Sequence, residues 1–521
     1  MKSKSIALAG GALTVGGVLF KVWLFDVLVR FGVKDQTALR YRNEVRGIYL
    51  KIPFPLNFKV YFFNVTNPEE IQNGAKPVLN EIGPYWYDEY KERVDVIDND
   101  TEDSLTYTPY DVFRFNPNKS TPLSDNDDVT IIHPVIVGMV NLLLRDSPML
   151  LKVVSKAIPL VFNDPKSIFL TGKVKNILFD GVVLNCTSKE FASTAVCGQM
   201  KGQVPGLKPS PGQPNLLLFS LLGPRNASRT GSLKVLRGIK QSRDLGRLLE
   251  VNGKKSAGIW GSDQCNRYDG TDSWIFPPLI KPEDGLKSFS TDLCRNVKMK
   301  LVNETVVKKI PVKIFETNLG DQSGDPEEKC YCPTTCLKKG VFDLTKCMGV
   351  PLFATLPHFL DTDPVYLDLV EGLKPNRDQH RIVVFFETMT GTPLIAAKRM
   401  QFNLELQQTN KLELFSRLPS ALFPIFWIEE VWVVFLTLPV KLVWFLPPFQ
   451  GMELEGYLLR KIQTVFMLLV FADVAIYASI VTGLGVCGIG SYLYWKNTKS
   501  LSITPLAKDN TQNKALNIPK F

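Results

Sequence analysis

Cysteine supplies most of the reactive chemistry in this 521-residue sequence. Eight of the nine cysteines, Cys186, Cys197, Cys265, Cys294, Cys330, Cys332, Cys336 and Cys347, occupy the middle of the chain, and Cys487 sits in a long apolar run. An even set confined to one region suits oxidation to disulfides, although spacing alone leaves about 105 pairings open. The run Cys330-Tyr331-Cys332-Pro333-Thr334-Thr335-Cys336 has the density of a metal knuckle. Zinc, however, wants CxxC pairs or nearby histidines, and no histidine follows before His358. Disulfides in an oxidising compartment are the better reading, and no metal site is expected.

Other catalytic chemistry is not spelled out. The three histidines, His133, His358 and His380, lie outside any HExxH pattern, and no GxSxG elbow occurs. Asn252-Gly253-Lys254-Lys255-Ser256 imitates the end of a phosphate-binding loop, but position 248, where the first glycine belongs, is Leu. The acidic pairs Asp127-Asp128 and Glu327-Glu328 stand in loop-forming sequence and read as solvated. No catalytic residue, cofactor or enzymatic activity is assigned. The formal net charge of +10 is scattered, and several lysines flank the apolar ends. That pattern fits anionic lipid better than nucleic acid.

The apolar ends set the expected topology. Ile6–Phe20 is uncharged and Val22–Phe25 extends it, together about the 20 residues that cross a bilayer core. Val465–Tyr494 carries one charge, Asp473, near its outer end. Bulky residues at 21–25 argue for an uncleaved anchor rather than a signal peptide. Lys2 and Lys4 precede the first span, and Lys496, Lys499, Lys508, Lys514 and Lys520 follow the second, so both termini are expected in the cytoplasm. The resulting division is a cytoplasmic segment 1–5, a span 6–28, an exterior domain 29–463, a span 464–494 and a tail 495–521. Six sequons, at Asn64, Asn99, Asn118, Asn185, Asn226 and Asn303, all fall in the exterior and are candidate glycosylation sites. Ser479, Gly483, Cys487 and Ser491, four residues apart, and Gly10, Gly11, Gly16 and Gly17 offer small faces through which the spans can pack.

Between the anchors the pattern is mostly strands. Asn57–Val65 and Val383–Thr388 are aromatic and β-branched, and Gly83–Asp98 alternates. Asn252-Gly253 between Leu248–Val251 and Ser256–Trp260 predicts a two-residue hairpin. In Thr130–Val161, Ile132, Ile136, Val140, Leu143, Leu144 and Leu151 recur at roughly helical spacing, which predicts a helical insert over about 130–165. The apolar stretch 421–449 is interrupted by Glu429-Glu430 and by Pro439-Val440-Lys441. It reads as a buried strand followed by a membrane-proximal element.

Several blocks, taken together and in order, resemble the class B scavenger receptor family. They are Phe58–Tyr85 with its Asn-Pro-Glu-Glu turn, Trp274–Pro278, Phe289–Arg295, Leu356–Phe359 and Gly372–Asn376. Asn176–Cys197, with its additional cysteine pair, points to the insect sensory neuron branch. The resemblance implies an antiparallel β-barrel-like exterior (mainly β with α) with a helical apex and an internal hydrophobic tunnel. It implies the disulfides Cys265–Cys330, Cys294–Cys347 and Cys332–Cys336, leaving Cys186 and Cys197 to pair. It further implies a non-enzymatic plasma-membrane receptor of sensory neuron dendrites or antennal support cells. Its expected partners are fatty-acid-derived pheromones or other lipids, an odorant receptor complex, odorant-binding proteins and membrane lipid. Lys152, Lys156 and Lys166, near the helical apex, are the expected capture points for a polar or anionic head group. A general lipid or lipoprotein scavenger, and a two-span ligand-gated channel, are the alternative readings.

Overall fold

The computed structural model describes residues 2–204, 206–332, 335–433 and 457–501. The apolar stretch beyond residue 433 and the tail lysines Lys508, Lys514 and Lys520 lie outside the described residues. The chain divides into two compact units, residues 1–32 with 461–521, and residues 33–460.

Two helices long and apolar enough to cross a membrane run over Lys2–Thr37 and Gln463–Lys499. Inside the first unit they meet through glycine. A Cβ on Gly10 would lie 2.7 Å from the Gly483 carbonyl oxygen, and one on Gly483 would lie 2.8 Å from the Thr14 nitrogen. Gly17 rests on Ile480 and Ser479, whereas Gly16 meets nothing within 4 Å. The packed face departs from the predicted one at its end, where Gly490, packed against Ala7, replaces the exposed Ser491. Strict four-residue steps drift about 40° each around a helix of 3.6 residues per turn, so a three-residue step restores the contact. Asp473 accepts a hydrogen bond from Lys21, which pairs the single acid of the second helix with a cation of the first.

The second unit is built on a 14-stranded antiparallel sheet. Its main path uses β1 (Leu56–Val65), β2 (Leu79–Asn99), β3 (Ser104–Phe115), β4 (Leu233–Leu236), β5 (Leu248–Val251), β6 (Leu286–Ser290), β7 (Arg295–Val307), β8 (Ile310–Thr317), β9 (Ile382–Glu387), β10 (Thr392–Leu406) and β11 (Ala421–Val433). The order is β5-β4-β3-β2-β1-β11-β10-β9-β8-β7-β6. The Asn252-Gly253 turn has positive φ at both residues, but the predicted hairpin stops there. Val251 and Lys254 close the turn, but Leu248–Val251 pairs with β4, and Ser256–Trp260 forms no strand because Ser256 bridges to Arg267 instead.

Short helix α1 (Glu44–Leu50) precedes β1, and α2 (Pro134–Asp146), α3 (Leu151–Val161) and α4 (Phe191–Gln203) form the helical region. That region starts later than the pattern predicts, since Asp128–Ile132 is a strand paired with Phe169–Lys173. It also recruits α4, whose low amphipathicity hid it, and which packs on α3. Val135–Val137 and Val140 of α2 and Val154, Ile158 and Val161 of α3 join one core with Phe58, Phe62, Leu404 and Phe423 of the sheet.

The sheet closes on itself through a single stitch. Arg247, beside β5, and Ser288 in β6 both bridge to Thr271. Leu248 donates to the Gly270 carbonyl at 3.0 Å, and Phe289 donates to the Thr271 carbonyl at 2.8 Å. The next residue, Asp272, is buried and accepts from the hydroxyls of Tyr49 at 2.6 Å and Tyr107 at 2.8 Å. Arg93 lies over both tyrosine rings, with its guanidinium carbon 4.0 and 5.1 Å from their centroids. Tyr107→Phe removes one of the two hydroxyl donors to a buried carboxylate and is expected to cost about 1.5–3 kcal/mol. Asp272→Ala is expected to cost more and to lower the surface level. Thermal melting of the purified full-length protein checks both, and wild-type stability in either variant would show that the stitch is incidental. Gly483→Leu drives a side chain into Thr14 and should separate the two helices, read as loss of a cysteine cross-link engineered between them.

Candidate functional site

Closing the sheet creates an interior, and strand alternation decides what faces it. A cavity of about 640 Å³ lies within the curved sheet. That volume falls in the range of about 300–1,000 Å³ typical of small-molecule sites. Its apolar wall comes from alternate residues of strands in one arc of the sheet: Val297 and Met299 of β7, Ile382 and Val384 of β9, and Ala396 and Met400 of β10. Trp274, from the stitch, and Trp432, near the end of β11, meet there with ring centroids 5.7 Å apart. The hydroxyls of Ser288 and Ser290 also line it.

The cavity also has a charged wall beside its apolar one. Lys398 of β10 and Glu430 of β11 face both this cavity and a neighbouring one of about 110 Å³. Between them runs a chain of ion pairs. Lys398 binds Asp292, Arg225 reaches Asp292 at 3.3 Å and Asp111 at 3.5 Å, and Lys91 reaches Asp111 and Glu430 at 3.4 Å. The Lys398 ammonium, helped by Arg225 and opposed by burial, holds Asp292 well below the usual carboxylate range. Burial pulls Lys91 down, but Glu430, Glu89 and Asp111 outweigh it and raise it. Glu89 lies 2.6 Å from Lys91 yet goes the other way, to about 8, because burial and the Glu430 charge exceed that one attraction.

The pair Glu429-Glu430, which breaks the apolar pattern of the sequence, is explained by the same alternation. Glu430 points inward to Lys91, while Glu429 points to the other face and takes Lys59 and Arg399, each at 2.7 Å. Further along that face, three of the sequence blocks converge. His358 donates through Nε2 to Glu81, which also accepts from Trp427 at 2.6 Å. His358 Nδ1 accepts from the Lys374 amide at 2.9 Å, fixing its tautomer, and the His380 ring stacks on it at 4.4 Å.

The apical lysines are not gathered into a pocket. Lys152 and Lys156 stand exposed, one turn apart on α3, and Lys166 in the following loop is paired with Asp164. The apolar residues beside them, Ala157, Ile158 and Val161, are turned into the core. Among the sequons, Asn99, Asn118 and Asn303 are exposed. Asn64 and Asn226 are half-buried and accept backbone hydrogen bonds from Thr130 and Phe113. Asn185 is half-buried and bonds Thr187. Four disulfides join Cys186 to Cys197, Cys265 to Cys330, Cys294 to Cys347 and Cys332 to Cys336. The cavity residues themselves escaped the sequence reading. Several of them, such as Trp274, Ser290, Arg295, Val384 and Glu430, lie in stretches that the sequence singles out for other reasons, but nothing there marks them as neighbours around one cavity.

The protein thus combines a near-barrel antiparallel sheet around a cavity, a helical region and two helices long and apolar enough to cross a membrane. The CD36 family model matches residues 8–494, and the chain belongs to that family of membrane receptors. It is 40% identical over 519 residues to sensory neuron membrane protein 1 of Apis mellifera, covering 99% of this chain and 96% of the relative. It is 43% identical over 432 residues to the protein of that name from Helicoverpa armigera, covering 82% of each. The relative from Antheraea polyphemus is 41% identical over 434 residues.

Two buried histidines give this unit a pH dependence of definite sign. Burial lowers His133, the N-cap of α2, to about 4, and burial with the neighbouring His358 lowers His380 to about 4. The unfolded chain takes up protons near the ordinary value of about 6.5, before the folded one does. Stability is therefore whole above about pH 6.5 and is lost as the pH falls from there toward 4. The melting temperature should decline across that window. The decline should be smaller in His133→Asn, which keeps a capping acceptor without the titration. An unchanged profile in that variant would remove His133 from the account.

Proposed function

We propose that the barrel cavity receives long-chain, lipid-like odorants such as pheromones and hands them to the membrane or to an adjacent odorant receptor complex. The observation that carries this reading is the 640 Å³ cavity with an apolar wall and a tryptophan pair. Leaving a chain in water costs about 0.8 kcal/mol per CH₂, so an apolar cavity offers the chain what an aqueous carrier or the bilayer offers it. The relatives, named as sensory neuron membrane proteins, support the same direction. In this reading both termini are cytoplasmic and the protein works in the plasma membrane of sensory neurons or their support cells. An odorant-binding protein delivers the ligand. Lys152 and Lys156 form the outer contact for a polar head group, and Lys166, held by Asp164, contributes less. The exposed Asn99, Asn118 and Asn303 carry the glycans.

Ala396→Phe fills the cavity from the middle of the sheet without touching the charged wall. Binding of a fluorescent long-chain alcohol to the purified full-length protein should fall about tenfold, a change of about 1.4 kcal/mol. Surface level should remain near the parent's. Undiminished binding in a folded variant would place the ligand elsewhere. Retained lipoprotein uptake with no odorant binding would favour the scavenger reading.

A further inference from the structure

The charged wall restricts which amphiphiles the cavity accepts, an inference that rests on the cavity reading above and refines it. Every cation of that wall already has a carboxylate. Lys398 holds Asp292, Arg225 holds Asp292 and Asp111, and Lys91 holds Asp111 and Glu430. Arg295, the other buried cation at the cavity, donates to Glu328 at 2.8 Å and to the Leu319 carbonyl at 3.2 Å. Lys91, Arg225 and Lys398 supply three positive charges, and Asp111, Asp292 and Glu430 supply three negative ones. Glu89 lies 2.6 Å from Lys91 and adds a further carboxyl group to that set. The exposed Lys298 and Lys300 stand at the rim, where water already solvates them.

A carboxylate carried into the interior, past the exposed Arg267, Lys298, Lys300 and Lys339 at the mouth, finds Lys398 and Arg295 already engaged by Asp292 and Glu328. It would have to displace an internal carboxylate or remain desolvated, and a buried charge without a partner is strongly disfavoured. An ester, aldehyde or alcohol needs only a hydrogen bond, which Ser288 or Ser290 can give. We propose that the cavity is selective for uncharged long-chain amphiphiles and rejects the corresponding fatty acids, with the Asp292–Lys398 pair as the specificity determinant.

Competition binding on the full-length protein in detergent at pH 7.4 tests this. The probe is a fluorescent hexadecanol analogue, and only the signal lost in Ala396→Phe is scored, so that binding at outer lysines does not count. Hexadecyl acetate and hexadecanal should displace it at concentrations at least about tenfold lower than palmitate. Asp292→Asn frees Lys398 and should improve palmitate about fivefold or more while leaving the acetate unchanged. Palmitate competing as well as the acetate in the parent protein overturns the proposal, as does a folded Asp292→Asn with no gain for palmitate. If that variant fails to reach the surface, the parent's acetate-to-palmitate ratio decides alone. A probe that binds no better to the parent than to Ala396→Phe instead overturns the cavity reading itself.

Discussion

A sheet this long can enclose space only if its two edges find each other, and here that depends on one segment. Thr271 bridges toward both edge strands, and Asp272 is then fixed by two tyrosine hydroxyls that come from α1 and β3. A buried carboxylate is costly unless it is fully hydrogen-bonded. Tyr49 and Tyr107 satisfy Oδ2, the Trp274 and Ile275 amides satisfy Oδ1, and together they anchor the stitch. Everything downstream follows from the closure: an inside and an outside, a cavity between them, and the placing of Trp274, two residues further on, against Trp432.

Once the sheet is closed, period-two alternation distributes chemistry without further design. Adjacent residues of one strand serve opposite tasks, as Glu429 and Glu430 show. The buried charges on either face are tolerated because each sits in a network of partners, and removing one partner from such a network costs far more than the pair itself contributes. The interior is thus split between an apolar wall, which suits an alkyl chain, and a self-neutralised ionic wall, which does not need a ligand to complete it.

The architecture was legible in the sequence to the extent that local pattern determines it. The aromatic and β-branched run at β1, the alternation of β2 and the two apolar ends each announce their element. The family blocks carried the near-barrel arrangement, which no single strand announces. What stayed hidden depends on long-range pairing. Asn252-Gly253 makes its turn as expected, yet β5 takes β4 as its partner, pairing Leu233 with Val251 and Val235 with Leu248. The helix α4 lacks an apolar stripe and acquires its place through the Cys186–Cys197 bridge and α3. The inward residues Ser288, Met299, Val384, Ala396 and Trp432 belong to five strands, and only the topology makes them neighbours. The charge chain is less legible still, since nothing in Lys91 or Asp292 separates them from solvated residues until burial is known.

The central claim is that the ligand occupies the interior of the closed sheet. It is tested most directly by photolabelling the full-length protein with a hexadecyl acetate that carries a diazirine midway along its chain. The account predicts cross-links in the peptides that hold Val297–Met299, Ile382–Val384 and Ala396–Met400, competed by unlabelled acetate. Labelling confined to α3, around Lys152 and Lys156, or to the membrane helices, with those strand peptides untouched, would contradict it.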